Sequence, residues 1–213
     1  DFEIVPPEEH PVLTERFVEL IVRDHERSRA SGIKHPEIEV RDIWAQLLAR
    51  ERDDLLETVA IAYECACNPV WPMLGARDLL ADLHQRGLTL GIVSNAQFYT
   101  PIMVEALFED DLEHLGFDQE LCFFSYQFGE AKPGVSLYGK LRDALAHRKI
   151  SPSEVLYLGN DALKDIHPAA ELGFRTALFA GDQRSLRLRE DEVDLNPPDA
   201  IITHLSQVLD LLE

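Results

Sequence analysis

The chain has 213 residues, of which 39 are acidic and 20 are basic, so its formal charge is −19 at pH 7. A surface with this excess of carboxylates repels nucleic-acid phosphates and anionic lipids, which argues against a nucleic-acid or membrane partner. The apolar fraction of 46% is typical of a globular protein, and no run of about eighteen apolar residues predicts a membrane-spanning helix.

The three cysteines are Cys65, Cys67 and Cys122, an odd number without the spacing of a metal site. The pattern around Cys65 and Cys67 predicts two small residues buried in a helix. Unpaired cysteines favour a reducing cytoplasmic location.

Residues 6–70 have the apolar spacing of amphipathic helices. Three such runs lie between residues 13 and 63. The breaker His35-Pro36 separates the first run from the second, and Asn68-Pro69 closes the section. Helices with one apolar face need a partner to bury it, so we expect a small helical bundle here.

Helices and short apolar strands alternate in residues 71–213. Strands are predicted over 88–94, 121–125, 155–159, 176–180 and 200–203. Helices are predicted over 101–115, 135–148, 164–172 and 205–212. Nearly continuous apolar strands alternating with helices indicate an α/β fold with a parallel sheet covered on both faces.

Three strand ends carry chemically useful side chains. Ser94 and Asn95 follow the first strand, Lys132 lies in the loop after the second, and Asp161 and Asp165 follow the third. Ligands of open α/β sheets bind beyond the carboxyl ends of the strands, where these residues lie. A hydroxyl with nearby backbone N–H groups and an ammonium suit a phosphate, and two carboxylates four residues apart on a helix suit Mg²⁺.

Each feature also has a structural interpretation when taken alone. Ser94-Asn95 could be a strand-to-helix turn with good capping residues, and Lys132 could be a solvent-facing loop lysine. Asp161 could cap the following helix, with Asp165 as a first-turn acid favoured by the helix dipole. The occurrence of all three at successive strand ends favours a single anionic-substrate site.

This ordered set resembles the haloacid dehalogenase superfamily. Ser94 in Ile92-Val93-Ser94-Asn95 matches the second motif of that family, and Lys132 in Ala131-Lys132-Pro133 matches the third. The fourth motif matches Gly159-Asn160-Asp161-x-x-x-Asp165. The resemblance implies a three-layer Rossmann-like core over residues 71–213 and a helical cap domain over residues 6–70.

The resemblance also implies a role for each matched residue. Ser94, with Asn95 beside it, would bind the oxygens of the transferring phosphoryl group, and Lys132 would neutralise the phosphoryl group and the nucleophile. Asp161 and Asp165 would hold or orient Mg²⁺. The substrate would be a small phosphorylated metabolite.

The first motif of the family, a strand ending in Asp-x-x-Gly-Thr with the nucleophilic aspartate, has no counterpart in the sequence. Asp1-Phe2-Glu3 is not that motif, because no apolar strand precedes it and no Gly-Thr follows. In the family this strand is central, flanked by the strands predicted over 88–94 and 155–159. We therefore expect the nucleophile to come from residues before Asp1.

The favoured function is a Mg²⁺-dependent phosphatase that acts through an aspartyl-phosphate. One alternative is a 2-haloacid dehalogenase, which needs the nucleophile but no metal; the carboxylate pair favours the phosphatase. A second alternative is a non-catalytic member of the family that serves as a binding or regulatory protein. The sequence gives no indication of oligomeric state.

Overall fold

A computed structural model describes residues 10–212 of the protein. Its first three helices are α1 (His10–Ala30), α2 (Val40–Leu47) and α3 (Asp54–Cys67). Their apolar faces share one core, which includes Leu20, Ile43 and Leu56. The start of the predicted helical section, residues 6–9, lies outside the described residues.

The remainder of the chain alternates between helices and parallel strands, so the fold is α/β, as predicted. The elements are α4 (Ala76–Gln85), β1 (Leu90–Ser94), α5 (Tyr99–Phe108), β2 (Phe117–Phe124), α6 (Val135–His147), β3 (Leu156–Gly159), α7 (His167–Glu171), β4 (Arg175–Phe179) and β5 (Ala200–Ile202). Short 3-10 segments lie at Ser125–Gln127, Pro152–Glu154 and Leu205–Leu212, and a π-helical turn spans Ala162–Ile166.

The strands form two separate parallel sheets. β1 pairs with β2, while β3 pairs with β4 and β4 with β5. Within the described part of the chain, the second edge of β1 and the second edge of β3 carry no strand. These edges line one cavity of about 650 Å³. The gap therefore lies where the sequence lacks the central strand of the resembled family.

Helices on both faces hold the two sheets together across this gap. On one face, residues of β2, α6 and β3 form a common cluster that includes Leu121, Leu141 and Tyr157. On the other face, α4 and the last 3-10 segment pack against apolar residues of β1 and β3, including Leu90 and Leu156. The half-sheets are thus placed mainly by helix packing, and one side-chain hydrogen bond joins them directly, from the Tyr157 hydroxyl of β3 to the Val93 carbonyl of β1 at 3.3 Å.

Helix α5 ends seven residues earlier than predicted, at Phe108. Glu109 adopts a left-handed backbone with φ of 55°, and the Asp111 carboxylate accepts a hydrogen bond from the His114 amide at 2.8 Å. An aspartate that bonds a nearby backbone N–H competes with helix formation, so the chain turns here.

The prediction that Cys65 and Cys67 are buried is wrong: both are exposed free thiols. They lie in the last turn of α3, whereas the buried residues of that helix, Leu56 and Ala60, lie in its first half. No helix among residues 10–212 combines the length and apolar character that a membrane span requires.

Candidate active site

The cavity between the two sheets has an apolar body and a polar end. All of β1 and all of β3 line its walls. Ser94, Lys132 and Asp165 line the same cavity, together with Asn160. β1 ends at Ser94 and β3 ends at Gly159, directly before Asn160, so these polar groups lie at the carboxyl ends of the two strands.

Lys132 is the cation of this site, and only 9% of its surface is exposed. Its Nζ lies 2.6 Å from Oδ1 of Asp165 and donates to the Val93 carbonyl at 2.8 Å. The hydroxyl of Tyr157, on β3, is 3.4 Å from Nζ. Burial disfavours the charged ammonium, but the neighbouring Tyr157 and Asp165 outweigh that effect and raise the pKa of Lys132 above its usual value.

Two tyrosines, Tyr138 and Tyr157, complete this network, and no sequence pattern singles them out. The Tyr138 hydroxyl donates to the Lys164 carbonyl at 2.7 Å and lies 3.1 Å from the Tyr157 hydroxyl. Burial is the largest of the effects that raise the pKa of both phenols, so both are neutral donors at physiological pH. Their spacing from the motifs follows no pattern that sequence inspection could detect.

Asn95 positions Lys132 through the backbone. Its Oδ1 accepts from the Lys132 amide at 2.6 Å, and its Nδ2 donates to the Lys132 carbonyl at 3.1 Å. Asn95 therefore joins the loop after β1 to the loop that carries the lysine. Of the N–H groups expected to cradle a phosphate, that of Ala96 is already bonded to the Ser125 hydroxyl at 2.9 Å.

Asp165 faces the lysine and is 5% exposed. Its Oδ2 accepts from the backbone N–H groups of Asn160 and Asp161, at 3.1 and 3.0 Å. A side chain at Gly159 would collide with it, since an added Cβ would lie 2.3 Å from the Asp165 Cβ. The glycine that ends β3 is therefore required by the close approach of this carboxylate.

Asp161 is not brought to the cavity with Asp165. It is the N-cap of the π-helical turn and has extended backbone angles, φ −122° and ψ 116°. Its Oδ1 accepts from the amides of Leu163 and Lys164, and Arg189 donates to both carboxylate oxygens. Burial opposes ionisation, but Arg189 and the two N–H donors outweigh it and lower the pKa of Asp161.

The helical spacing argument fails for this pair because Asp161 precedes the helix rather than belonging to it. Residues four apart share a face only when both lie within an α-helix. Here the turn is π-helical, with the Ile166 amide bonded to the Asp161 carbonyl at 3.2 Å. The capping alternative describes Asp161 correctly.

The carboxylate oxygens of Asp161 and Asp165 are not equally suited to bind Mg²⁺. Both oxygens of the Asp161 carboxylate are bonded to the Arg189 guanidinium, its Oδ1 also accepts from the Leu163 and Lys164 amides, and Asp161 does not line the cavity. Asp165 accepts three hydrogen bonds and lines the cavity. Asp165 is thus a hard oxygen ligand that fits a cation at the cavity, and Asp161 in this arrangement does not.

The loop of Lys132 is also tied to the helical section, through contacts that the sequence did not predict. Residues 35–37 pair antiparallel with residues 129–131: the Glu37 amide donates to the Gly129 carbonyl at 3.0 Å, and the Ala131 amide to the His35 carbonyl at 2.7 Å. Oε2 of Glu37 accepts from the fully buried Ser125 hydroxyl at 2.6 Å. The link between α1 and α2 therefore contacts the loop that carries Lys132 at two places.

Comparison with known sequences agrees with the motif assignment. Residues 16–179 match the family described as haloacid dehalogenase-like hydrolase. The chain is 29% identical over 155 residues to haloacid dehalogenase-like hydrolase domain-containing protein 3 of Mus musculus. This match covers 71% of the chain and spans only 57% of the mouse protein.

Solved structures with the same fold include enzymes of more than one activity. A 2-haloacid dehalogenase from Pseudomonas syringae pv. Tomato DC3000 has a TM-score of 0.62 at 18% identity, over 97% of this chain and 81% of that one. A HAD phosphatase from Thermococcus onnurineus has a TM-score of 0.54 at 16% identity, over 95% and 87%. A putative HAD-hydrolase from Bacillus subtilis, YfnB, described as bound to magnesium, has a TM-score of 0.56 at 16% identity, over 97% and 85%. With the family match over residues 16–179, the chain belongs to the haloacid dehalogenase-like hydrolases.

Proposed function

We propose that this protein is a Mg²⁺-dependent phosphatase that hydrolyses a small phosphorylated metabolite through an aspartyl-phosphate. One observation carries the proposal: a hydroxyl, a buried ammonium and a carboxylate meet at one end of the cavity between β1 and β3. In a chain of net charge −19, a buried lysine is the local cation that an anionic group needs.

Each side chain has a distinct task in this reaction. Lys132 offsets the negative charge of the phosphoryl oxygens, and Ser94 donates a hydrogen bond to one of them. Asn95 holds the lysine backbone in place. Asp165 would hold Mg²⁺, which when bound neutralises phosphoryl charge and helps orient the group for in-line attack.

The nucleophile would arrive on a strand that these 213 residues do not contain. A strand parallel to β1 and β3 would fill the cavity, pair with both free edges and end beside Lys132. An unpaired backbone group costs roughly 1–3 kcal/mol when buried, so pairing along two edges favours the insertion. A carboxylate oxygen at its end would attack phosphorus as the ester P–O bond breaks, and water would then hydrolyse the acyl phosphate.

A 2-haloacid dehalogenase is the second candidate, and a specific observation favours it. Both acids of the fourth motif are already paired with cations of the chain, Asp165 with Lys132 and Asp161 with Arg189. This arrangement leaves each charge compensated without a metal. In either case we propose a small-molecule substrate and a reducing, cytoplasmic location, the latter because the cysteines are free thiols.

The test supplies the missing strand. A version of the chain would carry five apolar residues followed by Asp-x-Asp-Gly-Thr ahead of Asp1, and would be assayed on p-nitrophenyl phosphate and on 2-chloropropionate. Phosphate release that requires Mg²⁺, and that is lost on replacing the first added aspartate by asparagine or in Lys132→Met, supports the phosphatase. Chloride release that persists in EDTA would instead establish the dehalogenase.

A further inference from the structure

Residues 185–189, here called the strap, form a short parallel pairing with the loop that follows β3. The Arg187 amide donates to the Asn160 carbonyl, and the Ala162 amide donates to the Arg187 carbonyl, both at 2.9 Å. The Asn160 side-chain amide donates to the Ser185 carbonyl at 2.6 Å. The strap therefore continues the hydrogen bonding of the sheet beyond the end of β3.

The last residue of the strap, Arg189, closes this pairing with an ion pair. Its Nε lies 3.1 Å from Oδ1 of Asp161, and its Nη2 lies 2.5 Å from Oδ2. Asp161 is 7% exposed, so the pair is shielded from solvent on the aspartate side. A bidentate arginine–carboxylate contact fixes both groups in direction as well as distance.

The loop after β3 also contacts Asp165, which lines the cavity. The amides of Asn160 and Asp161 both donate to Oδ2 of Asp165. The loop that the strap holds is therefore the loop that orients the Asp165 carboxylate toward Lys132.

We infer that Asp161 is the anchor of the strap rather than a ligand for a divalent cation, and that Arg189 is a positioning residue for Asp165. Both oxygens of Asp161 are bonded to the Arg189 guanidinium, Oδ1 also accepts from two backbone amides, and the carboxylate does not line the cavity that holds Asp165. Arg189 does not touch the cavity end itself; it acts through Asp161 and the loop amides. The inference rests on the proposed function only in treating Asp165 as the cation-binding group.

The first experiment measures coupling between the two residues. Amide hydrogen exchange of Ala162 and Arg187 would be recorded in the wild type, Asp161→Asn, Arg189→Gln and the double variant. Asparagine keeps the capping oxygen, so only the ion pair is removed. We expect protection to fall about tenfold in each single variant and no further in the double variant, since groups in contact are not additive.

Arg187→Gln is the matched control. It changes the same residue type within the strap, but within residues 10–212 the Arg187 guanidinium donates to the Arg184 and Leu186 carbonyls and not to Asp161. Its amide protection should remain that of the wild type. Additive losses from Asp161→Asn and Arg189→Gln, or an equal loss in Arg187→Gln, would overturn the inference.

The second experiment measures Mn²⁺ binding by electron paramagnetic resonance. If Asp161 acts only through the strap, Asp161→Asn and Arg189→Gln should weaken Mn²⁺ binding equally, by about tenfold, as loss of an orienting partner does. If Asp161 is a ligand, Arg189→Gln removes its competitor and strengthens binding, and that result refutes the inference. If the wild type binds no Mn²⁺ measurably, Mn²⁺ binding that appears in Arg189→Gln would still refute the inference. If no binding appears in that variant either, the hydrogen-exchange comparison of the single and double variants decides.

Asp165→Asn separates the two proposals. If it binds Mn²⁺ as well as the wild type does, the cation site of the proposed function is wrong. The comparison of Asp161→Asn with Arg189→Gln still decides the role of the strap in that case.

Discussion

The buried pair of Lys132 and Asp165 gives the sharpest stability prediction. The two residues are 9% and 5% exposed, with Nζ 2.6 Å from Oδ1. Lys132→Met keeps much of the side-chain volume but leaves the carboxylate with two backbone N–H donors and no cation. Removing one partner of such a pair costs about 3–5 kcal/mol in the free energy of unfolding, because an uncompensated charge remains buried.

Urea unfolding followed by tryptophan fluorescence measures this loss, with the buried Trp44 as a native-state reporter. At a slope of about 2 kcal/mol per molar, the midpoint should fall by roughly 2 M. Lys34→Met is the control, since Lys34 is exposed; a surface substitution of this kind should change the free energy by no more than about 0.5 kcal/mol.

The variant Lys132→Met with Asp165→Asn tests the cause. Removing both charges leaves no buried ion, so the double variant should be more stable than Lys132→Met alone by about 1–2 kcal/mol. A single variant within about 1 kcal/mol of the wild type would refute the assumed burial cost. If the stability losses of Lys132→Met and Asp165→Asn add up to the loss of the double variant, the two groups do not interact.

Three further predictions concern other parts of the site. Gly159→Ala should destabilise the protein by about 1–3 kcal/mol, because the added methyl group collides with Asp165. Gly139→Ala is the control: it lies in helix α6 with open space around it and should stabilise the protein by about 0.5–1 kcal/mol. Thermal unfolding of both variants measures these changes. Ser125→Ala should cost about 1–3 kcal/mol, measured by urea unfolding, because it leaves a buried backbone N–H without an acceptor. The lowered pKa of Asp161 gives stability that is complete above its ordinary value of 3.8 and is lost as pH falls through the lowered pKa. The difference in the free energy of unfolding between the wild type and Asp161→Asn should therefore be constant near neutral pH and shrink in acid. An equal difference at neutral and at acid pH would contradict a lowered pKa for Asp161.

The strand ends could be predicted from the sequence because they follow from local patterning. Apolar runs bounded by glycine and polar residues predicted the last residue of β1, Ser94, and of β3, Gly159, and both are where the structure has them. Parallel strands place their carboxyl ends at one edge, and Ser94, Lys132 and Asp165 line one cavity at the strand ends.

The parts that could not be predicted depend on distant contacts or on an irregular turn. Arg189 lies 28 residues after Asp161 in a polar loop, and no periodicity indicates that the two residues meet. The separation of Asp161 from Asp165 depends on a π-helical turn that has the same residue spacing as an ordinary helix. Tyr157 was identifiable only as an apolar strand residue, while its hydroxyl contacts Lys132.

The antiparallel pairing of residues 35–37 with residues 129–131 has a consequence for how this protein would respond to a change in its helical section. Lys132 follows directly after the paired segment, so its backbone shares a mechanical support with the chain between α1 and α2. A shift of the helices would pull on two backbone hydrogen bonds and reach the ammonium without passing through the cavity. Substitutions in residues 35–37 would thus change the position of the Lys132 ammonium through the backbone of the paired segment.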